Sequence, residues 1–123
     1  GIDTRLSQAA EGHSIFVVED NFDQAWPLVN LALEEIGFEV DDLNRESGTY
    51  FVEYSEPGSG FLFIGGDDYE NLGIAEGEYE FWLLDDGENT SVTVYKDDKL
   101  VSDEWMNKVF EAFKAAVKQQ SKL

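Results

Sequence analysis

The chain of 123 residues contains no cysteine. Disulfides, thiolate metal sites and a cysteine nucleophile are therefore excluded, although the compartment is not fixed by this, since exported domains also do without cysteine. It has one histidine, His13, in a polar stretch near the start. A Ser-His-Asp arrangement with a defined neighbourhood has nothing to build on, and the HExxH zinc pattern does not occur. Basic residues are scarce as well: 8 Lys and Arg stand against 27 Asp and Glu, for a net charge of −19. Between Arg45 and Lys96 there is none, whereas Lys108, Lys114, Lys118 and Lys122 crowd the C-terminal end. Binding to nucleic-acid phosphates needs cations that displace counterions, so that class is set aside. Anionic membrane surfaces repel such a chain too. An acidic mimic of nucleic acid is the one related class that the charge permits. No apolar run reaches bilayer-spanning length, and no signal-peptide pattern opens the sequence.

What the chain does have is apolar material: 42% of residues, with 9 Phe, 5 Tyr and 3 Trp. That fills one core in a chain of single-domain length, with no need of a metal or cross-link. Residues 1–13 are mostly small and polar and read as a flexible leader, with Gly1 a cloning remnant or a cut inside a longer protein. Ser14-Ile15-Phe16-Val17-Val18 reads as a strand. Asp20 and Asn21 are cap candidates for a helix running to about Glu35, whose apolar stripe is Phe22, Trp26, Val29, Leu33 and Ile36. Pro27 lies close to the first turn and costs little if that helix starts near Asp23, and kinks the axis if it starts earlier; Gly37 is its stop. Strand patterns follow at 38–40, 49–54, 78–84 and 90–95, separated by turn chemistry at 44–48, 57–60 and 85–89. Ser102 caps a final helix with Asp103 and Glu104 in its first turn and lysines toward its end, as the helix dipole favours. Its stripe is Trp105, Val109, Phe113 and Ala116. The order β-α-β-β-β-β-α is an α+β arrangement in which a long C-terminal helix packs into a curved antiparallel sheet, a single domain over 14–118 with a tail at 119–123.

Candidate chemistry is thin. Gly65-Gly66 after Phe61-Leu62-Phe63-Ile64 has neither phosphate-loop spacing nor a nearby Lys. Asp67, Asp68 and Glu70 do not fall in the order of a calcium loop, and 85–89 is too short for one. Glu76, Glu78 and Glu80 share one strand face, where like charges act as acid and base only inside a cleft. No catalytic residue, cofactor or metal ligand is assigned. Phe61, Phe63 and Tyr69 are the candidate partner surface: aromatics in a Gly-flanked segment without strand period, which either fold back as a lid over the sheet or present an apolar patch.

The segment from Phe22 to Leu28, followed by Ala32 to Val40, resembles the first helix and second strand of the BamC (NlpB) lipoprotein family. Asp41-Asp42-Leu43-Asn44-Arg45-Glu46-Ser47-Gly48 is similar to that family's Arg-x-x-Gly hairpin, and Tyr50 to Tyr54, Tyr69 to Gly73, Gly77-Glu78-Tyr79 and the final helix continue the likeness over residues 14–118. It is closest to the C-terminal of the family's two similar domains. The resemblance implies a helix-grip fold and a non-enzymatic accessory role in the β-barrel assembly (BAM) machinery of the Gram-negative outer membrane. It also implies a lipidated N-terminal Cys and an unstructured segment that contacts the BamD lipoprotein, neither of which lies in this chain. The implied partners are BamD and the barrel component, with the domain facing the periplasm or the cell exterior. The net charge departs from the family's usual pattern. A helix-grip domain that encloses a small apolar ligand is the alternative, because the same sheet and helix can leave a cavity between them.

Overall fold

The computed structural model describes residues 1–58 and 69–122. Along the chain run β1 (Thr4–Gln8), β2 (Ser14–Val18), α1 (Phe22–Glu35), β3 (Phe38–Asn44), β4 (Thr49–Tyr54), β5 (Gly77–Asp86), β6 (Asn89–Lys96), β7 (Lys99–Leu100) and α2 (Asp103–Gln120). Among the described residues the strands form one antiparallel sheet in the order β1-β2-β6-β5-β4-β3, with β7 added to β6. Both helices pack on one face of it. This is the expected α+β, helix-grip class, with the long C-terminal helix against the sheet.

Period-2 alternation fixes which face is inward. Tyr79, Phe81 and Leu83 of β5, Thr90, Val92 and Val94 of β6, and Tyr50, Val52 and Tyr54 of β4 are all buried. The stripes of α1 and α2 close over them through Trp26, Val29, Leu33, Trp105, Val109 and Phe113. Aromatic rings dominate the contact layer. Phe16 stacks on Phe113 with centroids 4.9 Å apart, and Phe38 meets Phe81 edge-on at 5.2 Å. Truncating a ring so placed to alanine typically costs about 3–5 kcal/mol.

The helix ends follow the local chemistry. Asn21 caps α1 by accepting the Gln24 amide at 3.0 Å, and Ser102 caps α2 by accepting that of Trp105 at 3.1 Å. Pro27 sits inside α1 beyond its first turn; it and Asp23, whose carbonyl loses a helical donor, are both exposed residues. Two strands were not foreseen. Thr4–Gln8 lies in the stretch expected as leader, yet it pairs with β2 from Thr4↔Val18 to Gln8↔Ser14. Thr4 is 1% exposed, and Ile2 and Leu6 pack against the core. The Ile2 amide also donates to Ser121 Oγ at 2.6 Å and Lys118 Nζ to Asp3 at 2.7 Å, so α2 holds this strand in place. The sheet thus begins at Thr4, and α2 runs to Gln120, into the expected tail. At the other hairpin, Asp97 and Asp98 both have positive φ (52° and 65°), the two-residue turn that suits strand twist. That turn creates β7.

Candidate interaction surfaces

Phe61 and Phe63 of the expected partner surface lie outside the described residues, as do Gly65, Gly66, Asp67 and Asp68. Tyr69 is described and partly buried. Its ring lies directly against the Cα of Gly37, meets Tyr54 edge-on at 6.3 Å, and its hydroxyl donates to the Ser55 carbonyl at 2.7 Å. The chain after it is pinned in turn. The Leu72 amide donates to the Tyr54 hydroxyl at 2.9 Å, and Leu72 and Ile74 are buried. Tyr69 therefore folds back onto the core, while its outer edge borders a groove of about 420 Å3 between α1 and α2, lined by Ile36, Leu72, Ala112, Glu35 and Glu111.

The expected acidic residues separate into different roles. Glu76 accepts the Glu56 amide at 2.8 Å across the base of the 57–75 connection. Glu78 and Glu80 point away from the helices, on the outer face of β5. His13 comes within 4.0 Å of Glu11 and otherwise borders the outer face. Carboxylates of Glu39, Asp41 and Glu53 approach within 4.8 Å of one another where β3 bulges between Val40 and Asp42. All three are exposed, and solvated acids at a strand edge also deter edge-to-edge pairing.

The outer face of the sheet is the surface that sequence reasoning missed. Of the six large apolar side chains exposed among the described residues, Phe51, Trp82, Leu84 and Leu100 belong to it. Register places them together: Phe51 opposite Glu80, Glu80 opposite Tyr95, and Tyr95 opposite Leu100. Trp82 lies in the next row, with its ring 4.5 Å from that of Tyr95, and its indole N–H donates to Glu80 at 2.9 Å. The signal was present in β5, whose outward positions read Glu78, Glu80, Trp82, Leu84. The alternation turns from acid to apolar at the point where a solvated strand would continue polar.

On either side of the Trp82–Tyr95 pair lies a hollow. One, of about 200 Å3, is lined by Phe51, Tyr95, Glu78, Glu80, Asp97 and Asp98. The other, of about 340 Å3, is lined by Ile15, Trp82, Leu84, Thr93, His13 and Glu11 among others. Among the described residues neither is lined by Lys or Arg. Lysines 108, 114 and 118 belong to α2, on the opposite layer, where Lys118 pairs with Asp3 and Lys108 with Glu104.

Comparison with known proteins places the chain. The family described as outer membrane protein assembly factor BamC-like C-terminal domain matches residues 4–117. The chain belongs to this family. The match takes in β1, the strand that the leader expectation left out. Relatives named outer membrane protein assembly factor BamC include one from Ferrimonas balearica, 38% identical over 94 residues. Another, from Pseudoalteromonas atlantica, is 36% identical over 95. Each of these alignments covers 76% of this chain and 26% of the relative. A BamC from Shewanella oneidensis is 28% identical over an alignment spanning 100% of this chain and 34% of its own length. The chain thus spans about a quarter to a third of the curated BamC proteins it matches. Among the described residues no helix is long and apolar enough to cross a membrane.

Proposed function

We propose that this BamC-type domain is a non-enzymatic accessory module of an outer-membrane β-barrel assembly complex, acting through protein–protein contact. Its parent is a lipoprotein held at the outer membrane by an anchor outside this chain, with BamD and the barrel component as partners. The domain itself works in the aqueous phase, facing the periplasm or the cell exterior. The observation that carries this reading is the outer sheet face, where exposed large apolar side chains gather on a single surface of a strongly charged domain. The Tyr69 edge of the α1–α2 groove, with Phe61 and Phe63 in the adjoining segment, is a second contact surface in the same reading.

The state of the interior supports contact over ligand storage. Where a ligand-binding helix-grip domain would keep a cavity between sheet and helix, Phe16, Phe38, Phe81, Trp105 and Phe113 stand packed and no more than 9% exposed. The test is to purify the full-length parent from gently solubilised outer membranes and identify what accompanies it by mass spectrometry. Barrel-assembly proteins in stoichiometric amount are expected. Their absence, with a lipid or other apolar molecule retained by the domain, would replace this reading with the ligand-binding one.

A further inference from the structure

We infer that the outer sheet face recognises an extended, cationic segment of a partner protein, one that carries a basic and an apolar side chain four residues apart on the same side. This rests on the reading of the domain as an interaction module and names the chemistry of the partner.

The smaller hollow is built for a cation. The Phe51 and Tyr95 rings line it, and Glu78, Glu80, Asp97 and Asp98 surround it. A guanidinium there would gain attraction from the ring faces together with charge-assisted hydrogen bonds to the carboxylates. Glu80 is already oriented by the Trp82 indole N–H, which leaves its other oxygen lone pairs for an incoming donor. The larger hollow lies beyond the Trp82–Tyr95 ridge and offers Ile15, Trp82 and Leu84 to an apolar side chain. Along β5 the outward carboxylates Glu78 and Glu80 stand four positions from the outward apolar residues Trp82 and Leu84, about 13 Å. Residues four apart in an extended chain laid along these strands share one side and the same spacing, so one segment reaches both hollows.

The other occupants fit less well. A second copy would set this acidic face against itself or against a chain of net charge −19. An anionic lipid surface meets the same repulsion. A purely apolar peptide would leave the carboxylate-lined hollow without a counter-charge.

The experiment titrates this 123-residue chain with a capped synthetic heptapeptide, Thr-Arg-Thr-Thr-Thr-Leu-Thr, following amide and indole N–H resonances by NMR. Glu-for-Arg and Ser-for-Leu versions serve as controls. The expected result is a shift concentrated at the Trp82 indole and at Tyr95, binding that weakens with salt, and weak or no binding of either control. Glu78→Gln with Glu80→Gln should weaken binding about tenfold or more, as loss of two charge-assisted contacts implies. Glu34→Gln with Glu104→Gln, on the helix layer and outside both proposed contact surfaces, should leave it unchanged. Glu78, Glu34 and Glu104 are exposed and Glu80 is half-buried, so unchanged spectra elsewhere are required of each variant to verify its fold. Shifts centred in the α1–α2 groove, equal binding by the Gln pair, or equal binding of the Ser-for-Leu peptide would each overturn the inference. The titration needs no assembly machinery. Its failure beside successful co-purification would discard the surface and keep the function, and the reverse result would do the opposite.

Discussion

The Trp26 indole lies stacked on the Tyr50 ring, centroids 4.0 Å apart and 18° from parallel, and the Tyr50 hydroxyl donates to the Trp26 backbone carbonyl at 2.6 Å. One residue of β4 thus clamps α1 twice, by ring contact and by a hydrogen bond into the helix. Tyr50 is fully buried, so its hydroxyl has no water to fall back on. Tyr50→Phe keeps the stack and removes the bond, for an expected loss of about 1 kcal/mol. Tyr50→Ala removes both and should cost about 3–5 kcal/mol, the range for truncating a buried ring. Urea unfolding followed by tryptophan fluorescence measures both. A Phe variant as unstable as the Ala variant would mean that the stack contributes little.

Alkaline pH should attack the same layer. Burial pushes the phenols of Tyr50, Tyr54 and Tyr79 above their ordinary value of 10.0. The unfolded chain then releases these protons at lower pH than the folded one. The stability they contribute is complete below about pH 10 and falls as pH rises from there toward the raised folded values. Unfolding free energies between pH 7 and 11 should decline beyond pH 10, with Tyr50, Tyr54 and Tyr79 ionising together with unfolding. Tyr50→Phe should flatten that decline. If the phenols of Tyr50, Tyr54 and Tyr79, followed residue by residue through their ring-carbon NMR signals, ionised at pH 10 with the fold intact, the burial argument would be wrong.

Gly37 and Tyr69 should couple in a double-mutant cycle. Gly37 ends α1 at φ +110°, and a Cβ there would run into the Tyr69 ring. Gly37→Ala therefore combines a backbone penalty of about 1–2 kcal/mol with the displacement of Tyr69. In a Tyr69→Ala background the second part disappears, so the glycine substitution should cost less there. Gly48 gives the contrast. Its φ is +73°, and a Cβ would collide with the Leu83 carbonyl oxygen, which is backbone and cannot step aside. Gly48→Ala should be at least as damaging, with no rescue by a side-chain truncation. Additive costs for Gly37 and Tyr69 would show that the ring does not press on that glycine.

The elements legible in the sequence were those with strong, long periodicity. Both helices announced themselves through Asn21, Ser102 and their apolar stripes, and β4, β5 and β6 through alternation bounded by turn residues. β1 was missed because its inward positions are Thr4 and Leu6, one of them polar. Its burial depends on α2, whose Lys118 and Ser121 hold the strand from more than a hundred residues away in sequence. Tyr69 illustrates the limit for surfaces. Its residue type favoured a lid and left a patch open; what packs the ring is the place of Gly37, brought beneath it by the end of α1. Trp82 and Leu84 were readable in principle, because β5 has one face committed to the core. What the sequence could not supply is the neighbouring strands' register, which gathers Phe51, Tyr95 and Leu100 beside them.

Two lowered carboxyl groups report how the N-terminal strands are fastened to α2. Asp103 accepts the Ser14 amide at 3.0 Å, and this bond is the first cause holding its carboxyl below the ordinary value of 3.8. Asp3 is held below the same value first by its hydrogen bond with Lys118, then by the charge of that lysine. A depressed folded value means that each contact adds stability above the unfolded value near pH 3.8. That stability is lost as pH falls through the lowered folded value. Carbon-detected NMR titration should give midpoints below 3.8 for both residues. Lys118→Ala should return Asp3 toward the ordinary value while leaving Asp103 low, because their causes differ. Asp103→Ala should instead expose the Ser14 amide to faster hydrogen exchange and leave the Asp3 midpoint in place. If Lys118→Ala moved both midpoints equally, the two fastenings would be one cooperative unit, and β1 and β2 would detach from α2 together.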